Sequence, residues 1–118
     1  MRRFKASAVT AVELVDMNTF AVILAEKLDG SGMRLEIQKA LSFDEQDQRL
    51  GQDTYCVSTD EGATCYGGVA SWALKPDSLE VWLDARAAEA LGVQHGFVVE
   101  FPTETLSILK EGLERVLS

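Results

Sequence analysis

Residues 19–27, TFAVILAEK, are apolar on both faces of an extended chain. A strand sends alternate side chains to opposite sides, so a strand apolar on both sides has to be covered on both. On its N-terminal side, residues 4–15 (FKASAVTAVELV) set Phe4, Ala6, Ala8, Val12 and Leu14 on alternate positions, with Lys5, Ser7 and Glu13 opposite. On its C-terminal side, RLEIQKAL alternates again, with Leu35, Ile37 and Leu41 facing inward. MNTF, centred on Asn18, turns the chain between the first two stretches, and the glycine-rich LDGSGM loops between the second and third. The first third therefore predicts a three-stranded antiparallel meander with TFAVILAEK in its middle.

The next segment, residues 42–51 (SFDEQDQRLG), packs Asp44, Glu45 and Asp47 into four positions, and Asp53 follows. Ser42 with Glu45 three residues later has the spacing of a capping box. Acids in a first helical turn favour the helix dipole, and Glu45 and Arg49 are spaced for an ion pair. Phe43 and Leu50 share a face, and Gly51 suits the position after a helix C-terminus. A short helix over 42–51 is the expectation. Residues 53–59 and 64–75 then form a hairpin around Asp60-Glu61-Gly62, with Gly67-Gly68 marking a bulge or a close backbone approach. SLEVWLD points Leu79, Val81 and Leu83 one way and Glu80, Trp82 and Asp84 the other. Trp82 on that charged face either lies under a helix or is an exposed anchor. Asp84 and Gly92 bound a second short helix, FVVEF is the last strand, and Pro102-Thr103 opens a C-terminal helix with Leu106, Leu109, Leu113 and Val116 as its apolar stripe. The whole reads as a single α+β domain over residues 1–118. It has a mostly antiparallel, curved β-sheet, a short mid-chain helix, a second short helix and a C-terminal helix.

Charge and composition narrow the function. With 118 residues and 47% apolar content the chain can bury a core without metal or disulfide staples. Acids outnumber bases 19 to 11, for a net charge of −8. That field repels phosphate backbones and anionic membranes and attracts a basic protein, so neither nucleic acid nor membrane is an expected partner. No apolar run is long enough to span a bilayer, and MRRFKASAV lacks the apolar core of a signal peptide. The expected location is the cytoplasm. There, Cys56 and Cys65, on either side of the hairpin turn, are expected as free thiols although their spacing permits a cross-strand bridge.

Catalytic and metal-binding patterns are missing. An EF-hand starting at Asp44 would need acids or Asn where Gln46 and Gln48 stand, and Gly51 is misplaced for it. Two cysteines and one histidine fall short of a structural zinc site. His95 sits in GVQHGF, a turn between helix and strand, and YGGVAS is no phosphate loop. Neither enzyme, metal nor cofactor is expected.

Two blocks, LSFDEQDQRLGQDTYCV (41–57) and CYGGVASWAL (65–74), resemble the immunity protein 10 family of bacterial polymorphic toxin systems. The remainder, including LEVWLDARAAEALGV and FVVEF, fits more loosely. The resemblance implies a non-catalytic immunity protein that binds and neutralises one cognate toxin domain. A nuclease would fit, since a toxin that attacks nucleic acid is commonly basic and an acidic inhibitor can occupy its phosphate-binding surface. The expected partner-facing residues are Asp44, Glu45, Asp47 and Asp53, with Tyr66 and Trp82 as aromatic anchors. Alternatively, Asp44, Asp47 and Asp53 act as internal caps bracing the corner at residues 51–55. A second class of reading is an intracellular small-ligand or scaffold module built on a curved sheet and Trp82.

Overall fold

The three-stranded antiparallel meander forms. β2 (Ala8–Leu14), β3 (Thr19–Ala25) and β4 (Arg34–Ala40) pair antiparallel, with Val12 opposite Ala21 and Val22 opposite Ile37. A computed structural model of the chain describes residues 1–51 and 53–117. Among them the expected α+β fold forms, but residues 4–15 and 64–75, each read as one strand, are two strands apiece, and the one expected sheet is two. Next to β4 lie β5 (Cys56–Thr59) and β6 (Thr64–Tyr66), completing a five-stranded antiparallel sheet in the order β2-β3-β4-β5-β6. The other sheet has the order β1-β9-β8-β7: β1 (Arg2–Lys5), β9 (Gly96–Glu100), β8 (Ser78–Leu83) and β7 (Val69–Leu74). Only the β1–β9 pair is parallel. Three helices complete the described chain: α1 (Glu45–Arg49), α2 (Ala85–Leu91) and α3 (Leu106–Val116).

Two sheets arise because two long strands read from the sequence each break once. At the first break Ala6, fully buried, donates its N–H to Glu100 O on β9 at 2.7 Å, while Ser7 donates to Ala25 O on β3 at 2.9 Å. One peptide link thus passes the chain from one sheet to the other. The second break is Gly67-Gly68. Gly67 N–H donates to Tyr55 O at 2.9 Å, and Gly68 O accepts from Asp84 N at 2.9 Å. Gly68 has φ +94°, and a Cβ there would stand 2.4 Å from Ala87 Cβ on α2. The glycine is therefore required both by the backbone conformation and by the packing of α2.

The first break also shifts the side-chain phase of β2. Val9 and Ala11 pack on the core, not the expected Ala8, Val12 and Leu14. A slip of one residue turns every side chain to the other face. The inner faces of both sheets, with Ala87 and Leu91 of α2 and Leu109, Leu113 and Val116 of α3, make one continuous core. α3 comes close to β2 and β3 because Gly112 has no side chain; a Cβ there would lie 2.8 Å from Val22 Cγ2. β3 is apolar on both faces, and on its outer side Ala21, between Val12 and Gln38, is 1% exposed.

Candidate functional site

The acidic segment is held in place by the turn between β2 and β3. Asn18, with φ +51°, donates from Nδ2 to Ser42 O at 3.0 Å and accepts from Ser42 Oγ at 3.2 Å. Leu41 N–H donates to Asn18 O at 3.0 Å. Ser42 is thus a clamp residue rather than a helix cap. The cap is Asp44: its Oδ1 accepts from Asp47 N at 2.7 Å, and Asp47 Oδ2 accepts from Asp44 N at 3.1 Å. The expected capping box exists two residues later than the Ser42–Glu45 spacing suggests, and the helix is confined to Glu45–Arg49. No residue of α1 is buried. Its position depends on these local bonds and on the loops that flank it. The expected Glu45–Arg49 pair is not among the ion pairs of the described residues.

This loop crosses one end of the outer face of the five-stranded sheet and encloses an open cleft of about 180 Å³. Phe43, Asp47 and Thr54 line it from the loop side, and Thr19, Gln38, Lys39, Cys56 and Tyr66 are among the residues that line it from the sheet. The register places Gln38 opposite Cys56 and Cys56 opposite Tyr66, so the three form a row across β4, β5 and β6. Arg86 supports the β6 end, donating from Nη2 to Tyr66 O at 3.0 Å and from Nη1 to Cys65 Sγ at 3.1 Å.

Of the six residues singled out from the sequence, Asp47 and Tyr66 meet in this cleft. Asp44 and Glu45 are exposed at the start of α1, and Asp53 is exposed on the bend that follows. Trp82 is apart: it lies on β8 between Ser71 and Gly96, 43% exposed, on the face of the other sheet that points away from the core. Asp44 and Asp47 cap each other at the start of α1, a bracing of the helix rather than of the corner at residues 51–55, and both reach the surface. Phe43, expected on a helix face with Leu50, lines the cleft instead. Its place one residue before an acidic run was the signal available.

The cysteines lie on neighbouring strands but opposite faces. Cys56 is opposite Tyr66 and Cys65 is opposite Val57, and both are buried free thiols. Burial pushes the Cys56 thiol up; a hydrogen bond from the Cys65 backbone opposes this, and the charges of Cys65 and Glu36 add to the rise. A thiol held neutral is a poor nucleophile. His95 has φ +69° in an exposed turn and accepts from Leu83 N through its own carbonyl, as a turn residue does. Among the described residues no group of three or more His, Cys, Asp or Glu is placed to hold a metal ion, and no helix is long and apolar enough to cross a membrane.

A carboxylate beside an exposed phenol and a half-buried phenyl ring can take a cationic side chain, with its stem along the rings and its charge at Asp47, in a cleft that Lys39 of the chain itself also lines. The cleft is smaller than the ~300–1,000 Å³ that buries a drug-sized ligand. A larger hollow of about 470 Å³ on the other sheet is open and of mixed charge, lined by Arg3, Lys5, Lys75, Glu80 and Glu100. Among curated proteins and among solved structures, nothing matches the chain. The family model for Immunity protein 10 matches residues 5–108, which takes in β2 to β9, the acidic loop and the cleft. The chain belongs to the immunity protein 10 family.

Proposed function

We propose that this chain is the immunity partner of one toxin domain in a bacterial polymorphic toxin system, and that it acts in the cytoplasm by binding the toxin without chemistry of its own. Family membership is the observation that carries this reading. The surface proposed for the toxin is the α1 end of the five-stranded sheet: Asp44, Glu45, Asp47 and Asp53 around the cleft that Tyr66 lines. A basic toxin, such as a nuclease, would be steered to these acids and lose access to phosphate. Tyr66 supplies an aromatic anchor of the kind that dominates interface energies. Trp82 joins the same interface if the partner passes over the Gly67-Gly68 corner onto the other sheet.

The test is binding kinetics against the product of an adjacent toxin-domain gene across a salt series. Asp44 and Asp47 also cap α1, so the cleaner reversal is Glu45→Lys with Asp53→Lys. This pair should lower the on-rate at low salt and flatten its salt dependence, because exposed charges are screened over ~8–10 Å at physiological ionic strength. Tyr66→Ala should raise the off-rate about tenfold or more. Absence of binding by the wild-type chain would sink the function. Unchanged kinetics in both variants would sink the surface.

A further inference from the structure

The outward N–H and C=O groups of an open sheet's edge strand can pair with another chain, and proteins usually blunt such edges with charge, proline, bulges or short length. Among the described residues three of the four edges are blunted. β1 has four residues, of which Arg2, Arg3 and Lys5 are basic. β6 has three residues, and its Tyr66 O is taken by Arg86. β7 carries an irregularity between Val69 and Ser71 and runs into Lys75-Pro76. β2 has none of these devices. Its seven residues, AVTAVEL, keep unbroken register with β3, and Glu13 is its one charge.

The surface along β2 is also apolar. Val15 and Met17, 71% and 70% exposed, follow it directly. Ile108, 48% exposed, lies on the flank of α3 that faces β2. Four residues on, Gly112 sits against Ala11, and seven on, Arg115 reaches Glu13 at 3.5 Å. Three of the seven exposed large hydrophobics of the described residues thus gather at this edge.

We propose that β2 pairs antiparallel with β2 of a second copy about a two-fold axis through Ala11, joining two five-stranded sheets into one of ten strands. The register is self-complementary. Thr10 of each copy faces Val12 of the other, and Glu13 faces Val9, so no like charges oppose each other. Ala8, Val12 and Leu14 of both copies, with Ala21 and Ile23 behind them, then form one apolar band on the outer face. The pairing is isologous, so it uses both β2 edges and closes at two copies. A basic toxin has little to steer it to an edge with a single acid, which favours the second copy as occupant. β2 and β6 are opposite edges of the sheet, about 19 Å apart at the usual strand spacing. The α1 cleft runs from Tyr66 on β6 to Thr19 on β3, so the second copy, added beyond β2, lies outside its lining. The dimer stands or falls independently of toxin binding.

Light scattering and sedimentation on the full chain test it. The wild type should have twice the 12.9 kDa chain mass. Thr10→Lys with Val12→Lys sets lysine against lysine and should give a folded monomer by circular dichroism. Thr10→Lys with Val12→Glu sets lysine against glutamate and should restore the dimer. If the double-lysine variant does not fold, the exposed single change Thr10→Lys should still weaken dimerisation about tenfold. A wild type monomeric at 100 µM, or a double-lysine variant as dimeric as wild type, overturns the proposal, and a charge-swapped variant that stays monomeric overturns the register. A monomeric wild type whose toxin binding is lost in the double-lysine variant would assign the edge to the toxin instead.

Discussion

Gly68→Ala probes the corner where the chain leaves the five-stranded sheet. A Cβ at residue 68 would lie 2.4 Å from Ala87 Cβ, whereas carbon atoms pack at ~3.5–4.0 Å. More than an ångström of movement is needed, and α2 is the element that must give. Ala87 is fully buried in the shared core, so shifting it overpacks its neighbours at about 1–3 kcal/mol. Alanine at φ +94° adds about 1–2 kcal/mol of backbone strain. The reduced entropy of the unfolded chain returns about 0.4–1 kcal/mol. The net expectation is a loss of about 2–4 kcal/mol, a large part of the ~5–15 kcal/mol that holds an ordinary domain. In urea the midpoint should fall by about 1–2 M with its slope unchanged. The double variant Gly68→Ala, Ala87→Gly separates the two causes. It should recover the packing part, seen as a favourable coupling of about 1–3 kcal/mol, while the backbone strain persists. A coupling within about 0.5 kcal/mol of zero would refute the contact with α2, and an unchanged midpoint for Gly68→Ala alone would refute the whole argument.

Asp44→Ala should cost about 1 kcal/mol by urea titration, whereas Ser42→Ala, whose hydroxyl meets only the exposed Asn18, should stay within about 0.5 kcal/mol; the reverse order would return the cap to Ser42. Burial works to raise the Asp60 carboxyl, but the Arg34 amide and the Arg2 guanidinium outweigh it and hold the group below its ordinary value. Its contribution is therefore present above the unfolded value near ~3.9 and lost as pH falls below it, so Asp60→Asn should shrink the stability difference between pH 7 and pH 3; an unchanged difference would remove Asp60 as a cause. Cys56 and Cys65 should react slowly with a thiol reagent in the native chain and yield two equivalents after denaturation; fewer than two without reductant would show a disulfide.

The sequence by itself determined the type and order of elements but not the number of strands, because alternation, helical spacing and turn residues are local properties. TFAVILAEK, the hairpin around Asp60-Glu61-Gly62, Asp84 with Gly92 and the leucine stripe of α3 all formed where their patterns put them. It also marked the acids of 44–53 and the aromatics Tyr66 and Trp82 as surface residues of interest. Tertiary structure decided which of them meet. Asp47 and Tyr66 share a cleft because Asn18 clamps Ser42 across 24 residues, while Trp82 belongs to the other sheet. It also decided that two strands would break, at Ala6–Ser7 and at Gly67-Gly68, and so which face of β2 is buried. Phe4, Ala6, Ala8, Val12 and Leu14 stay in one phase through the first break, and the only trace of the switch is apolar Val9 and Ala11 in the other phase around Thr10. The break follows from competition between Glu100 O and Ala25 O for neighbouring amides, and those acceptors take their places only when strands distant in the chain have assembled.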